Sequence, residues 1–214
     1  MRQMYDKAID FLRDKLNASV VIDEVEKRYR FEHSLRVASI AQEIAEKEGQ
    51  DVLITTLAAI LHDVGKFDTE INEDHGRVSA DVARPFLGTL GISQKQEDDI
   101  HYCIAVHVDG EAGYDYENIG EAETVSDADN IDRFGVYRIY QTLRWDGIDT
   151  MSAEEAIKKY IARIGRLQKY RDDPGLFTPT ANRMFCKNLG IQIDFYRDLI
   201  EELRRTGLPY ASLA

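Results

Sequence analysis

The apolar residues of this chain recur at steps of three and four over most of its length, which leaves little room for anything but helices. Between 31 and 48 the series is Phe31, Leu35, Val37, Ala38, Ile40, Ala41, Ile44 and Ala45, and Gly49 then supplies a C-terminal stop. Asp51 is the expected N-cap of the next helix, VLITTLAAILHD, which is apolar almost all round and belongs at the centre of a core. Residues 67–74 read as a polar loop, followed by a helix from about 76 that Pro85 ends or kinks. Ser93 caps a helix to about 108, and 109–117, with Gly110 and Gly113, reads as loop. One long helix is expected over about 119–146 and another over about 152–170. Arg-Asp-Asp-Pro-Gly at 171–175 is a break, and Thr178-Pro179 opens a last helix to about Arg205. The β-like stretches, Ser19–Asp23 and His101–Val108, are short. The reading is all-α, one domain with a C-terminal helical extension.

Charge is unevenly placed. The net charge is −12, yet residues 96–132 hold twelve carboxylates and no Lys or Arg, while the rest balances at 27 acids and 27 bases. Such a chain does not coat nucleic acid, which needs a basic surface. An apolar fraction of 43% is too high for a disordered acidic chain. No run approaches the roughly 20 apolar residues of a membrane span. The amphipathic start, MRQMYDKAIDFLRDKL, lacks the apolar segment of a secretory signal. Cys103 and Cys186 match no metal or redox spacing, which points to a reducing compartment. The expectation is a soluble, cytoplasmic protein with no membrane partner; a homodimer stays open.

Several ionisable residues sit where solvation is poor. His62-Asp63, followed by Val-Gly-Lys66, ends the most apolar helix. A divalent cation would offset the cost of desolvating that pair, and a solvated C-terminal cap is the alternative. His33 falls on the stripe of Val37, Ile40 and Ile44, where a hydrogen-bonded core histidine is the plainer reading. Asp129 and Asp132 fall inside the stripe Val125, Val136, Ile139, Leu143, and buried carboxylates are rarely tolerated unless paired or metal-bound. Asp127 projects to the other side and reads as a surface or cap residue. His75 opens a helix, and His107 shares a face with Ile100 and Ile104. His101 lies about 120° from His107 around a helix and reads as a surface histidine.

His33, then His62-Asp63, then Asp129 within Ser-Asp-Ala-Asp-Asn-Ile-Asp resembles the HD-domain superfamily of metal-dependent phosphohydrolases. The supporting contexts are His33-Ser-Leu-Arg36-Val-Ala, Leu-His62-Asp63-Val-Gly-Lys66 and Asp-Ala-Asp129, and the likeness spans roughly residues 28–145. It implies an HD-type helical bundle over about 28–145 with an extension over about 150–207, and His33, His62, Asp63 and Asp129 as ligands of one metal. Some branches add two histidines between the pair and the last Asp and hold two metals bridged by the pair's carboxylate. His75-Gly76 and Ile104-x-x-His107 fall in that interval. The Asp63–His75 spacing is short for it, Val108 follows His107 where the cyclic-dinucleotide phosphodiesterase branch has a second His, and that branch's Gly-Tyr-Pro is absent. One ion and two both stay open. The mixed N/O donor set suits Mn, Fe, Ni, Co or Zn, with Mg also compatible.

The resemblance implies hydrolysis of a phosphate ester or pyrophosphate bond, in a nucleotide or another small phosphorylated metabolite, by a metal-activated water that Asp63 orients. Lys66, one turn past Asp63, would act there as a catalytic and substrate-binding group on phosphate oxygens, or is a surface lysine. Arg36, one turn past His33, would bind substrate phosphate, or is a structural salt-bridge residue. Lys27, Arg28 and Arg30 form a basic cluster ahead of His33. Asp132 is expected to accept a hydrogen bond from a ligand histidine. The competing reading is a di-iron HD-fold oxygenase using His33, His62, Asp63, His75, His107 and Asp129; a binding module with a degenerate site is disfavoured by the intact ligands.

Overall fold

The computed structural model describes residues 1–108 and 116–205, and the proposed 109–117 loop lies largely outside them. Among the described residues there are nine α-helices, two single 3-10 turns and no strand. None of these helices is long and apolar enough to cross a membrane. The chain divides into two compact units, Met1–Asp132 and Arg133–Ala214.

In the first unit, α1 (Arg2–Ala18), α2 (Glu24–Glu48) and α5 (Gln94–Val106) surround α3 (Val52–Leu61), and α4 (His75–Leu87) pairs with α5. Every residue of α3 from Ile54 to Leu61 is buried, as expected of a helix with no polar face. The alanines at 58 and 59 let neighbouring backbones approach, while Leu57, Ile60 and Leu61 fill the space between. Polar caps set where the helices begin. Asp23 Oδ1 accepts from the amides of Val25 and Glu26 at 3.0 and 2.8 Å. Asp51 Oδ1 does the same for Leu53 and Ile54 at 2.9 and 3.1 Å. Ser93 and Gln96 form a reciprocal capping box at the start of α5. Gly49 ends α2 at φ 72°, a conformation that suits a residue without Cβ. Pro85 does not end α4: it sits in the last turn, and the helix runs on to Leu87.

The long helix expected over 119–146 is two helices, α6 (Gly120–Arg133) and α7 (Tyr137–Asp146). The break has a donor behind it. The buried Gln192 side-chain amide donates to Phe134 O at 2.5 Å and to Gly135 O at 3.4 Å. Phe134 O would otherwise accept from the Arg138 amide, which bonds instead to Gly135 O at 3.0 Å. Gly135 adds the backbone freedom that favours leaving the helix there. That partner lies 58 positions away in sequence, so local periodicity does not reveal it.

In the second unit α8 (Ala153–Asp172) packs along α9 (Pro179–Arg204). Ser152 and Glu155 cap α8, and Thr178 Oγ1 accepts from Ala181 N at 3.0 Å with Pro179 in the first turn of α9. Tyr160 of α8 stacks on Tyr196 of α9, ring centroids 5.0 Å apart.

Candidate metal centre

Five elements of the first unit deliver side chains to one place. His33 stands on α2, His62 and Asp63 end α3, His75 opens α4, His107 follows α5, and Asp129 with Asp132 comes from α6. The four rings form a row, His33–His62–His107–His75, with successive centroids 5.3, 5.0 and 5.1 Å apart.

Each ring is held by its Nδ1. His62 Nδ1 meets Ala59 O at 2.8 Å and His107 Nδ1 meets Ile104 O at 2.7 Å. His75 Nδ1 meets Asn72 O by the same three-residue back-step. A carbonyl only accepts, so Nδ1 carries the proton in all three rings and Nε2 presents a lone pair. His33 Nδ1 is held differently, by Asp132 Oδ2 at 2.7 Å. Asp132 in turn receives Arg36, Nε at 2.7 Å and an Nη at 3.1 Å. Asp132 thus stands where an acceptor for a ligand histidine was expected. Arg36 forks onto that carboxylate, the salt-bridge alternative rather than the phosphate contact.

The four Nε2 atoms converge on Asp63, and its two oxygens divide them. Oδ2 lies 3.8 Å from His62 Nε2 and 4.0 Å from His33 Nε2. Oδ1 lies 3.1 Å from His75 Nε2 and 3.7 Å from His107 Nε2. Asp129 Oδ1 joins the first pair, 3.1 Å from His33 Nε2 and 4.0 Å from His62 Nε2. The donor atoms of His33, His62 and Asp129 lie within 4.8 Å of one another, as do those of His62, Asp63 and His107.

Burial and charge are at odds here in a way that suits a cation. His62 Nε2 and His107 Nε2 are buried and have no hydrogen-bond partner, a state that costs about 1–3 kcal/mol per group unless something else is bound. Burial pushes the His62 imidazole down to about 4, so it stays neutral and able to donate its lone pair. Burial alone would raise Asp63, but His62, His107, His75 and Lys66 hold it well below the usual carboxylate range. Burial would likewise depress His33, but hydrogen bonds to Asp129 and Asp132 raise it to about 9. Four imidazole nitrogens and two ionised carboxylates, two of the nitrogens orphaned, are a chemical fit for one or two divalent transition metals.

Two cations border the carboxylate. Lys66 Nζ is 3.2 Å from Asp63 Oδ1 and 3.1 Å from His75 Nε2. An Arg30 Nη is 3.5 Å from Asp63 Oδ2, with its guanidinium braced by Glu26 at 2.7 Å and set against the rings of Tyr29 and Phe67. The basic cluster ahead of His33 did not distinguish Arg30. The signal is its spacing, one turn before His33 on the same face. Lys27 goes elsewhere, to Glu24 and the Asn17 carbonyl.

Two expectations fail. Asp127, read as a surface or cap residue, is buried at 1% exposure. α6 carries a second buried stripe, Thr124, Asp127, Ala128 and Ile131, because it is enclosed on more than one side. His101, read as a surface histidine, is also buried; its Nε2 faces Asp81 at 3.4 Å.

Glycines bring the elements close enough for this convergence. A Cβ on Gly76 would fall 2.6 Å from Ala105 O, and one on Gly65 would fall 2.9 Å from the Ser79 backbone. The Gly65 amide also donates to Ser79 Oγ at 3.0 Å.

Comparison with known proteins agrees with this geometry. The HD domain family model matches residues 30–133. Two curated relatives are Ribonuclease Y of Pseudothermotoga lettingae, 39% identical over 56 residues, and Ribonuclease Y of Chloroflexus aurantiacus, 35% identical over 81 residues. The matched segments are 26% and 37% of this chain but only 11% and 14% of those proteins. Among solved structures, a predicted HD superfamily hydrolase from an uncultured Thermotogales bacterium superposes with a TM-score of 0.64 at 19% identity, covering 94% of this chain and 92% of that one. An HD-superfamily hydrolase from Bacillus thuringiensis gives 0.66 at 18%, covering 98% and 99%. Bacillus subtilis YpgQ in complex with ADP gives 0.63 at 20%, covering 94% and 95%. At these identities the likeness is one of fold.

Proposed function

The chain carries an HD domain over residues 30–133, and from that premise we propose that it is a metal-dependent phosphohydrolase acting on a phosphate ester or pyrophosphate bond of a nucleotide or similar small metabolite. The observation that carries the reading is the division of Asp63, one oxygen toward His33 and His62 and the other toward His75 and His107, with the Nε2 atoms of His62 and His107 left unpartnered. In this reading His33, His62 and Asp129 would hold one ion and His75 and His107 a second, with Asp63 available to both. Ions held there would lower the pKa of a coordinated water and polarise a phosphoryl oxygen.

The protein's own groups do the rest. Asp132 keeps the His33 ring in register through Nδ1, and the three carbonyl anchors do so for the other histidines. Asp63, kept ionised by its neighbours, orients the nucleophilic water. Lys66 and Arg30 stabilise phosphoryl oxygens as charge builds on them. These two cations favour an anionic substrate over the oxygenase alternative. The ADP held by YpgQ supports a nucleotide within the substrate class.

The test is metal analysis of protein purified without chelator, paired with hydrolysis assays on a panel of nucleotides and model phosphate esters. Bound divalent metal and hydrolysis that disappears in His62→Ala and Asp63→Ala are expected. Two tightly bound irons with oxygen consumption and no hydrolysis would overturn the proposal in favour of the oxygenase. Full hydrolase activity in either variant would overturn the residue assignment.

A further inference from the structure

We propose that α9 carries a self-association surface, on which a second copy of this chain lies antiparallel about a two-fold axis passing between Gly190 and Ile191. The surface contains none of the residues of the metal centre and does not depend on the hydrolase reading.

The order of charges along the helix is the first reason. Arg183, Lys187, Ile191, Asp194 and Asp198 fall on one stripe about 80° wide around an ideal helix, and all of them are exposed. The stripe reads two cations, one apolar residue, two anions. Turning it end for end exchanges cations for anions, so it complements itself when antiparallel and repels itself when parallel. About the stated axis Lys187 meets the partner's Asp194 and Arg183 meets the partner's Asp198, and each pair recurs by symmetry. The axis lies close to the midpoint of α9 (Pro179–Arg204), so the register that pairs the charges also overlaps the two helices along their length.

The charges concerned are not spent within the chain. The Lys187 and Asp198 side chains make no ion pair or hydrogen bond among the described residues. Arg183 donates to Thr180 Oγ1 at 2.8 Å, a neutral acceptor that leaves its charge unmatched. Asp194 has an exposed pair with Arg197 at 3.3 Å, a contact of small worth in water. Cations on one half of a helix face and anions on the other fit a partner that presents the reverse order, and a second copy does so without any further requirement.

Gly190 is the second reason. Glycine weakens a helix interior relative to alanine and is useful where another backbone must come close. A Cβ at Gly190 would meet nothing within 4 Å, so packing inside the chain does not call for this glycine. A helix crossing at 190–191 does, because the missing side chain lets a second backbone approach while Ile191, 39% exposed, covers the contact. Net charge favours the same unit. Residues 133–214 contain fourteen Lys and Arg against ten Asp and Glu, so they are net +4, while residues 1–132 are net −16. Two copies that meet through α9 therefore do not bring two acidic surfaces into contact.

A single pair of helices buries less than the standard interface of about 1,600 Å², so the dimer should be weak and reversible. The experiment is sedimentation velocity on the full chain across the micromolar range, where a monomer–dimer equilibrium is expected. Lys187→Glu and Asp194→Lys should each weaken association by about tenfold or more, because each sets like charges opposite one another at two symmetric places. One of these changes makes the chain more acidic and the other less, so net charge does not account for a loss in both. Combining them in one chain restores opposite charges in the same register and should recover wild-type association. Gly190→Leu should also abolish the dimer while the circular-dichroism spectrum stays that of the wild type, since the new side chain points into open space within the chain. The proposal is overturned by a chain that stays monomeric throughout that range, by unchanged association in Lys187→Glu or Gly190→Leu, or by a combined variant that associates no better than the single ones.

Discussion

Replacing Gly76 by Ala adds one methyl group and should damage both the fold and the metal centre. The new Cβ would lie 2.6 Å from Ala105 O and 3.2 Å from Ile104 O, where ordinary contact begins at 3.4 Å. α4 and α5 must therefore separate by up to about 0.8 Å along that line, and both obstructing atoms are backbone, so no side chain can swing aside. Overpacking of this kind costs about 1–3 kcal/mol. A gap of that size also forfeits roughly a quarter to a half of the dispersion energy between the facing side chains, here Ala80, Ala83 and Leu87 of α4 and Ile100 and Ile104 of α5. Against this stands a helix-propensity gain of about 1 kcal/mol for Gly→Ala. The net expectation is a loss of about 1–3 kcal/mol, read as a fall in melting temperature of about 2–4 °C per kcal/mol for a chain of this size. The damage reaches the centre because Ile104 O is the anchor of the His107 ring and His75 adjoins Gly76. Circular-dichroism melts with metal analysis of the same preparation check both parts. A Gly76→Ala protein that melts at or above the wild-type temperature would refute the close-approach reasoning.

Asp132→Asn should weaken metal binding by about 10–100-fold in a competition titration with a chromophoric chelator, because the anionic acceptor behind His33 is lost; wild-type affinity would contradict a supporting role for Asp132. His75→Ala and His107→Ala should each lower the bound metal from two equivalents toward one, while retention of both ions would remove these histidines from the ligand set. Ser93→Ala should cost about 1 kcal/mol in urea unfolding through loss of the α5 capping box, and an unchanged midpoint would count against that cap. Burial, assisted by Arg84, holds His101 below its ordinary 6.5 despite Asp81 and Asp98 nearby. The unfolded chain therefore takes up that proton first, so stability is fully present above pH 6.5 and falls as pH drops toward the folded value. His101→Gln should flatten this part of the pH–stability curve, and an identical slope in wild type and variant would exclude His101 as its source.

Much of the fold is local, and so it is legible in the residues. The caps Asp51, Ser93, Ser152 and Thr178 act on amides two or three residues away, so the helix starts they govern follow from neighbours in sequence. The unbroken apolar surface of α3 requires a central position wherever its partners come from. The end of α2 follows in the same way from Gly49, which occupies the left-handed region that other residues avoid. His33, His62-Asp63 and Asp129 stand out for a related reason, since ionisable groups on apolar stripes need a partner, and which stripe they occupy is set by helical period alone.

What the chain order cannot convey is where distant groups meet. The division of α6 from α7 depends on Gln192, a donor 58 residues away whose amide takes the carbonyls that would have continued the helix. Asp127 and His101 were misplaced because period assigns a residue to a face, while burial depends on how many faces the tertiary packing covers. Arg36 shows the same limit: its spacing from His33 puts it near the site, but only the fold brings Asp132, 96 residues on, to receive its guanidinium. The sharing of Asp63 between two sets of histidines is likewise a matter of ångströms between the ends of α3 and α5, the start of α4 and the face of α2. Residue identity and period thus settle which groups must be helical, capped or compensated, because those constraints act within a turn or two of chain. Tertiary packing alone decides which of them face one another, because hydrogen bonds and metal coordination depend on distances that sequence separation does not encode.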